Sequence, residues 1–323
     1  MTSLSRPAIG LEGASCTLSE LLALRHLSEM LTLGSKSSGR SLRAGGHISK
    51  IRGRGMSFSE SRLYQPGDDI RLVDWKVTAR SGRVHTKVFE EEKERPVFVI
   101  ADLTDSLFFG TRRAFKHVVA IEIAALVGWA TLQRNDRIGA LLVSSKRHVE
   151  LRPAAGRRSL MRLLRMLEQF STGSYAHSQS IELSDALRRA NEVVTPDSLV
   201  FVASDFYGFN DSVARHLVRL SAHNDVVLCQ VLDRLELEHP PPGKYPISDG
   251  RQITEWSVVG RRLGQKHPAS EIGRLGDSLT EPVSRLARRH RLLYGVISAG
   301  ESVAAQLDQI LSKTHSVTIP GAA

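Results

Sequence analysis

Val97-Phe98-Val99-Ile100-Ala101-Asp102-Leu103-Thr104-Asp105-Ser106 is the stretch that decides the fold. A short apolar run rich in β-branched residues and closed by acids and hydroxyls reads as a strand buried on both faces, delivering oxygen atoms at its carboxyl end. A second run, Leu199-Val-Phe-Val-Ala-Ser-Asp205, has the same form. Around these two, helical periodicity is expected from Phe115 to Leu132, Ser159 to Phe170, Ile181 to Val193, Asp211 to Ala222, 278 to 290 and Ser302 to Leu311. Further strands are expected at Arg137 to Val143, His148 to Arg152, Val226 to Leu232 and Leu292 to Ser298. Strand and helix in alternation imply a mostly parallel sheet with helices on both faces, and a site at the carboxyl ends of the strands.

Ahead of the sheet the pattern changes. Residues 1–16 are rich in Ser, Gly and small residues and are expected to be disordered. Residues 17–95 are expected to hold an amphipathic helix from Thr17 to Leu31, a basic glycine-rich loop, and a turn built on Pro66-Gly67-Asp68-Asp69. That turn leads into a short helical segment carrying Ile70, Val73 and Trp75, with Tyr64 and Trp75 assigned to the core. Arg62, Asp68, Asp69, Arg71, Asp74 and Arg80 alternate in sign around it and read as a structural network. Residues 96–323 form the sheet domain, with a proline-rich β-ribbon inserted at about 234–270.

The bulk numbers narrow the function classes. With 323 residues, 41% hydrophobic and 24% charged, the chain matches an ordinary soluble globular protein. The longest apolar stretch, Val118 to Ala130, is interrupted by Glu122 and has the length of a core helix rather than a membrane span. Met1 to Glu12 lacks the basic and apolar regions of a signal peptide, so the cytoplasm is the expected compartment. Two distant cysteines, Cys16 and Cys229, make no disulfide framework. The net charge of +10 is uneven: between Lys36 and Arg54 stand six Lys or Arg and no acid. Such a segment attracts phosphate or acidic protein surfaces, although it lacks aromatic residues for base stacking. No Gly-x-Ser-x-Gly elbow, phosphate-binding loop or His spacing for a metal occurs.

Asp102-x-Thr104-x-Ser106 puts one carboxylate and two hydroxyls in one strand-to-helix loop, an oxygen set suited to a hard divalent ion such as Mg²⁺. Here the sequence resembles the von Willebrand factor A-type fold with its metal-ion-dependent adhesion site. The resemblance implies Mg²⁺ at Asp102, Thr104, Ser106 and Asp205, ready to take a carboxylate from a partner protein. Where that pattern has a distant threonine this chain has Ile181, with Ser178 and Ser180 as the nearby hydroxyls. Two outcomes therefore stand open: an occupied site, and a metal-free loop that still binds partners.

Gly53-x-Gly55, Arg62-x-Tyr64-x-Pro-Gly-Asp-Asp-x-Arg71, Asp74-Trp75, Ala79-Arg80, Lys87-x-Phe89-x-Glu91 and Asp233-x-x-Glu236 narrow the match. Read in order with the Asp102 loop, they resemble the domain of unknown function 58 family over about residues 45–312. That family is commonly encoded beside MoxR-type AAA+ ATPases. The resemblance implies a non-enzymatic, intracellular protein-interaction adaptor working with such an ATPase. The competing expectation is a nucleic-acid-binding protein or metal-dependent nuclease, with Asp68, Asp69 and Asp74 as carboxylates beside the basic 36–54 loop.

Overall fold

The computed structural model describes residues 10–33, 56–91, 94–172, 181–237, 242–248, 253–258 and 269–312. The chain divides into two compact units, Met1–Ser35 together with Arg95–Ala323, and Lys36–Glu94. The amino-terminal helices therefore belong with the sheet, not with the segment that follows them.

The helix expected from Thr17 to Leu31 is broken at Leu24 into α1 (Leu18–Ala23) and α2 (Arg25–Ser28). Thr17 and Glu20 form a capping box that starts α1. The bend lets Leu21, Leu24, Leu31 and Leu33 all enter the sheet unit's core.

In the Lys36–Glu94 unit, β1 (Met56–Leu63) pairs antiparallel with β2 (His85–Glu91). Between them lie a 3-10 turn, Ile70–Leu72, and α3 (Trp75–Ser81). β1 is not legible in its own residues, because its Ser, Glu and Arg side chains make no apolar face; pairing with β2 makes it a strand. Trp75 is 70% exposed, which corrects its assignment to the core, and Tyr64 is half-buried.

The sheet unit continues with β3 (Pro96–Leu103), α4 (Lys116–Gln133), β4 (Arg137–Ser144), β5 (His148–Ala155) and α5 (Arg157–Ser171). Next come α6 (Leu183–Val193), β6 (Leu199–Ser204), α7 (Asp211–Ser221), β7 (Asp225–Leu232) and α8 (Arg234–Leu237). The expected ribbon is β8 (Gly243–Ser248) against β9 (Ile253–Val258), followed by α9 (Ala269–His290), β10 (Leu293–Ser298) and α10 (Val303–Ser312). The central sheet has six strands in the order β10-β7-β6-β3-β4-β5, all parallel except β5 at one edge. No described helix is long and apolar enough to cross a membrane.

Alternation along β3 splits the core. Val97, Val99, Ala101 and Leu103 pack with α4, α5 and α10, while Phe98 and Ile100 pack with α6, α7 and α9. Helix α4 is buried nearly all round, because strands lie on one side and the amino-terminal strap covers the other. Trp129 of α4 donates its indole N–H to Leu21 O at 3.0 Å and so fastens that strap.

Candidate functional site

In the sheet order the chain leaves β3 toward β4 on one side and toward β6 on the other, which makes the β3/β6 edge the topological switch point. Ala101 lies opposite Ala203, so Asp102 and the pair Ser204-Asp205 emerge side by side at that edge. Asp102 is buried. Its Oδ1 accepts from Thr104 N at 3.1 Å and Thr104 Oγ1 at 2.7 Å, and its Oδ2 accepts from Ser204 Oγ at 2.6 Å. Burial, and then the neighbouring Asp205 carboxylate, pushes the Asp102 carboxyl up to about 6.

Beyond Asp205 the backbone turns through Phe206 in the left-handed region, φ 55°. Phe206 N donates to Ser204 Oγ at 2.9 Å and Tyr207 N to Asp205 Oδ1 at 2.9 Å. A bulky residue at positive φ is strained, and surrounding bonds must hold it there. The turn drives Phe206 into the core and leaves Tyr207 71% exposed.

Lys116, the first residue of α4, is 2% exposed. Its ammonium donates to Asp205 Oδ2 at 3.0 Å and to Glu236 Oε1 at 2.8 Å. Burial alone would lower its pKa, but the Asp205 and Glu236 carboxylates outweigh that and raise it. A cation in the first turn of a helix opposes the macrodipole, so these two acids are what keep it charged and buried.

Glu236 in turn accepts from Asp233 N at 2.8 Å through Oε2, while Asp233 Oδ1 accepts from Leu235 N at 2.9 Å. This is the bonding pattern of a capping box at the start of α8. Asp233 also accepts from Thr111 N at 3.0 Å and Thr111 Oγ1 at 2.6 Å, binding the loop before α4 to the end of β7.

The expected metal residues are thus placed as follows. Asp102, Thr104 and Asp205 come together at the switch point, whereas Ser106, in the 3-10 turn Asp105–Leu107, hydrogen-bonds neither acid. Ile181 packs into the core beside α6, and Ser178 and Ser180 lie outside the described residues. Both oxygens of each carboxylate already accept hydrogen bonds, and a protein ammonium supplies the positive charge beside Asp205. No group of three His, Cys, Asp or Glu among the described residues is arranged to hold an ion. This donor set does not fit a resident Mg²⁺.

The expected network in the other unit resolves into separate local roles. Arg62 pairs with Asp68 at 2.7 Å, Asp69 Oδ1 accepts from Arg71 N at 3.0 Å, and Asp74 caps α3 and accepts from Ser61 Oγ at 3.0 Å. Arg71 and Arg80 are exposed, and neither side chain has an ion pair among the described residues. The Asp68, Asp69 and Asp74 carboxylates are committed to these contacts rather than to a shared centre. The basic 36–54 segment lies outside the described residues.

Lys116, Ser204 and Tyr207 are the site residues that sequence reasoning missed. A lysine at the very start of an apolar helix was the available signal, since such a position calls for anionic neighbours.

Residues 60–263 match the sequence pattern of the protein family of unknown function DUF58. The chain belongs to the DUF58 family. It is 30% identical over 217 residues to the uncharacterized protein Rv1480 of Mycobacterium tuberculosis, covering 66% of this chain and 67% of that protein. It is 35% identical over 65 residues to the uncharacterized protein YeaD of Bacillus subtilis, covering 20% of this chain and 15% of that one. Among solved structures it is similar to the conserved hypothetical protein BatB of Bacteroides thetaiotaomicron, with 13% identity, TM-score 0.40, and coverage of 68% of this chain and 98% of that one. An aerotolerance-related membrane protein of Bacteroides fragilis is similar at 13% identity and TM-score 0.40, with 68% and 99% coverage.

Proposed function

We propose that this DUF58 protein is a non-enzymatic adaptor that docks a protein partner on the carboxyl edge of its sheet, in the loops that follow β3 and β6. The observation that carries this is Tyr207, 71% exposed on a strained and fully bonded turn, with Phe109 36% exposed in the loop before α4. Exposed aromatics held on rigid loops are the residue type and setting of interface hot spots. The acids behind them are held by a buried lysine, Asp205 and Glu236 both accepting from Lys116, which favours a surface that binds over a centre that reacts.

In this reading the sheet unit is a von Willebrand factor A-type domain that binds without a divalent ion. The partner is a cytoplasmic MoxR-type AAA+ ATPase, the class that the family resemblance implies. Binding of the purified chain to the MoxR-type ATPase of the same genome, by biolayer interferometry, tests it. Tyr207→Ala with Phe109→Ala is expected to weaken binding about 30-fold or more, as for hot-spot residues, without changing the melting temperature. Absence of binding by the wild-type chain, or full binding by the double variant, would overturn it. Loss in Trp75→Ala alone would move the surface to the Lys36–Glu94 unit.

A further inference from the structure

Helix α5 carries arginines that nothing in the described structure neutralises. Arg157, Arg158, Arg162 and Arg165 are all exposed, and none has an ion pair among the described residues. Two other helices, α6 and α9, carry arginines that meet acids. On α6, Arg188 meets Asp185 and Glu192, and Arg189 meets Glu150 and Glu192; on α9, Arg285 and Arg288 both meet Glu281. The acid on α5, Glu168, is already committed, accepting from Leu18 N at 2.7 Å.

The sequence of α5 makes this arrangement costly. Arg157 and Arg158 stand in the first turn, where the helix dipole repels cations, and Arg158, Arg162 and Arg165 repel one another at spacings of four and three. Nor is the face simply polar. Residues four apart form two parallel rows, Arg157-Met161-Arg165 and Arg158-Arg162-Met166, with both methionines half-buried. Together with Gln169 they line a shallow groove, open to solvent, along this one helix.

From this we propose that the outer face of α5 is a docking groove for an acidic, partly apolar segment of a protein. Guanidinium groups are suited to bidentate pairing with carboxylates, and the methionines give an adaptable apolar floor for an aliphatic side chain. A nucleic-acid backbone would meet the charges but has nothing to lay on the methionines, and the groove holds no aromatic platform for bases. The face is separate from the Tyr207 edge, so the two surfaces stand or fall independently.

The test uses the full chain and a fluorescein-labelled helical peptide with glutamates along one face and leucines along the other. Its controls are the same peptide with glutamine for glutamate, and a labelled DNA duplex. Anisotropy titrations are expected to show binding of the acidic peptide, about tenfold weaker binding to Arg158→Gln with Arg162→Gln, and little binding of the glutamine peptide. Met161→Ala is expected to weaken the acidic peptide while leaving its salt dependence unchanged. Equal peptide affinity for wild type and the double arginine variant would overturn the proposal. So would a duplex that binds this face more tightly than the peptide does. A circular-dichroism melt of each variant confirms that the fold is kept, and both Arg→Gln changes remove repulsion rather than contacts.

Discussion

Replacing Lys116 with methionine should be among the most damaging single changes in this protein, although it exchanges one buried side chain for another of similar length. At an effective dielectric of ~20, each contact near 3 Å is worth about 5 kcal/mol of attraction, set against several kcal/mol for desolvating each ion. The intact triad is therefore close to balanced. Lys116→Met removes the attraction but leaves the Asp205 side chain, 4% exposed, and the Glu236 side chain, 24% exposed, with their desolvation uncompensated. A broken buried pair of this kind costs about 3–5 kcal/mol, which for a unit of this size lowers the melting temperature by roughly 10 °C. Urea unfolding followed by far-ultraviolet circular dichroism reads the loss directly. The triple variant Lys116→Met, Asp205→Asn, Glu236→Gln removes all three charges and should recover more than half of it, because the ions are coupled and not additive. A cost below about 1 kcal/mol for Lys116→Met would refute the reasoning. A triple variant as unstable as the single one would refute it equally.

Two other outcomes follow from the same buried groups. Millimolar MgCl₂ or MnCl₂ should leave the wild-type melting temperature unchanged, whereas an ion present at a hundred times its dissociation constant would add about 2.7 kcal/mol. A rise of several degrees that disappears in Asp102→Ala would instead establish an ion at the β3 loop. Glu122 sits inside α4 against Arg113 at 2.9 Å, and burial pushes its carboxyl up to about 7 despite the opposing pull of that guanidinium. The folded chain then holds a proton that the unfolded chain, with Glu122 near its ordinary 4.5, has released. Its contribution is therefore most favourable at low pH and is lost as pH rises from about 4.5 to about 7. Glu122→Gln should flatten that decline by about 2–3 kcal/mol in urea titrations across the interval, and an unchanged slope would count against the buried carboxyl.

How far each part could be read from sequence depends on where its ordering forces originate. The β3 and β6 runs are buried on both faces, so their continuous apolar character is a direct imprint of their surroundings, and strand, order and site edge follow from it. Helix α4 was found by length, since burial on all sides erased its periodicity. β1 was missed for the opposite reason. Its Met-Ser-Phe-Ser-Glu-Ser-Arg-Leu carries almost no pattern of its own, and its extended form comes from pairing with β2. Trp75 was assigned inward because large apolar residues usually are, but its helix is capped by Asp74 in an orientation that turns the indole to solvent.

The candidate site was legible only in part because its chemistry is tertiary. Asp102 and Asp205 could be found as strand-end acids, and the parallel sheet guarantees that such acids converge. Convergence creates an electrostatic problem that sequence does not solve: carboxylates brought together at a buried edge need a cation. A metal from solution is one answer, and the Asp-x-Thr-x-Ser spacing pointed to it. Another is a protein cation, and this chain places Lys116, from the start of α4, between Asp205 and Glu236. Three residues separated by 89 and 120 positions have no shared motif, so only the topology reveals them as one unit. Beside that buried cluster, the strained turn after β6 holds Phe206 in the core and Tyr207 outward, 71% exposed.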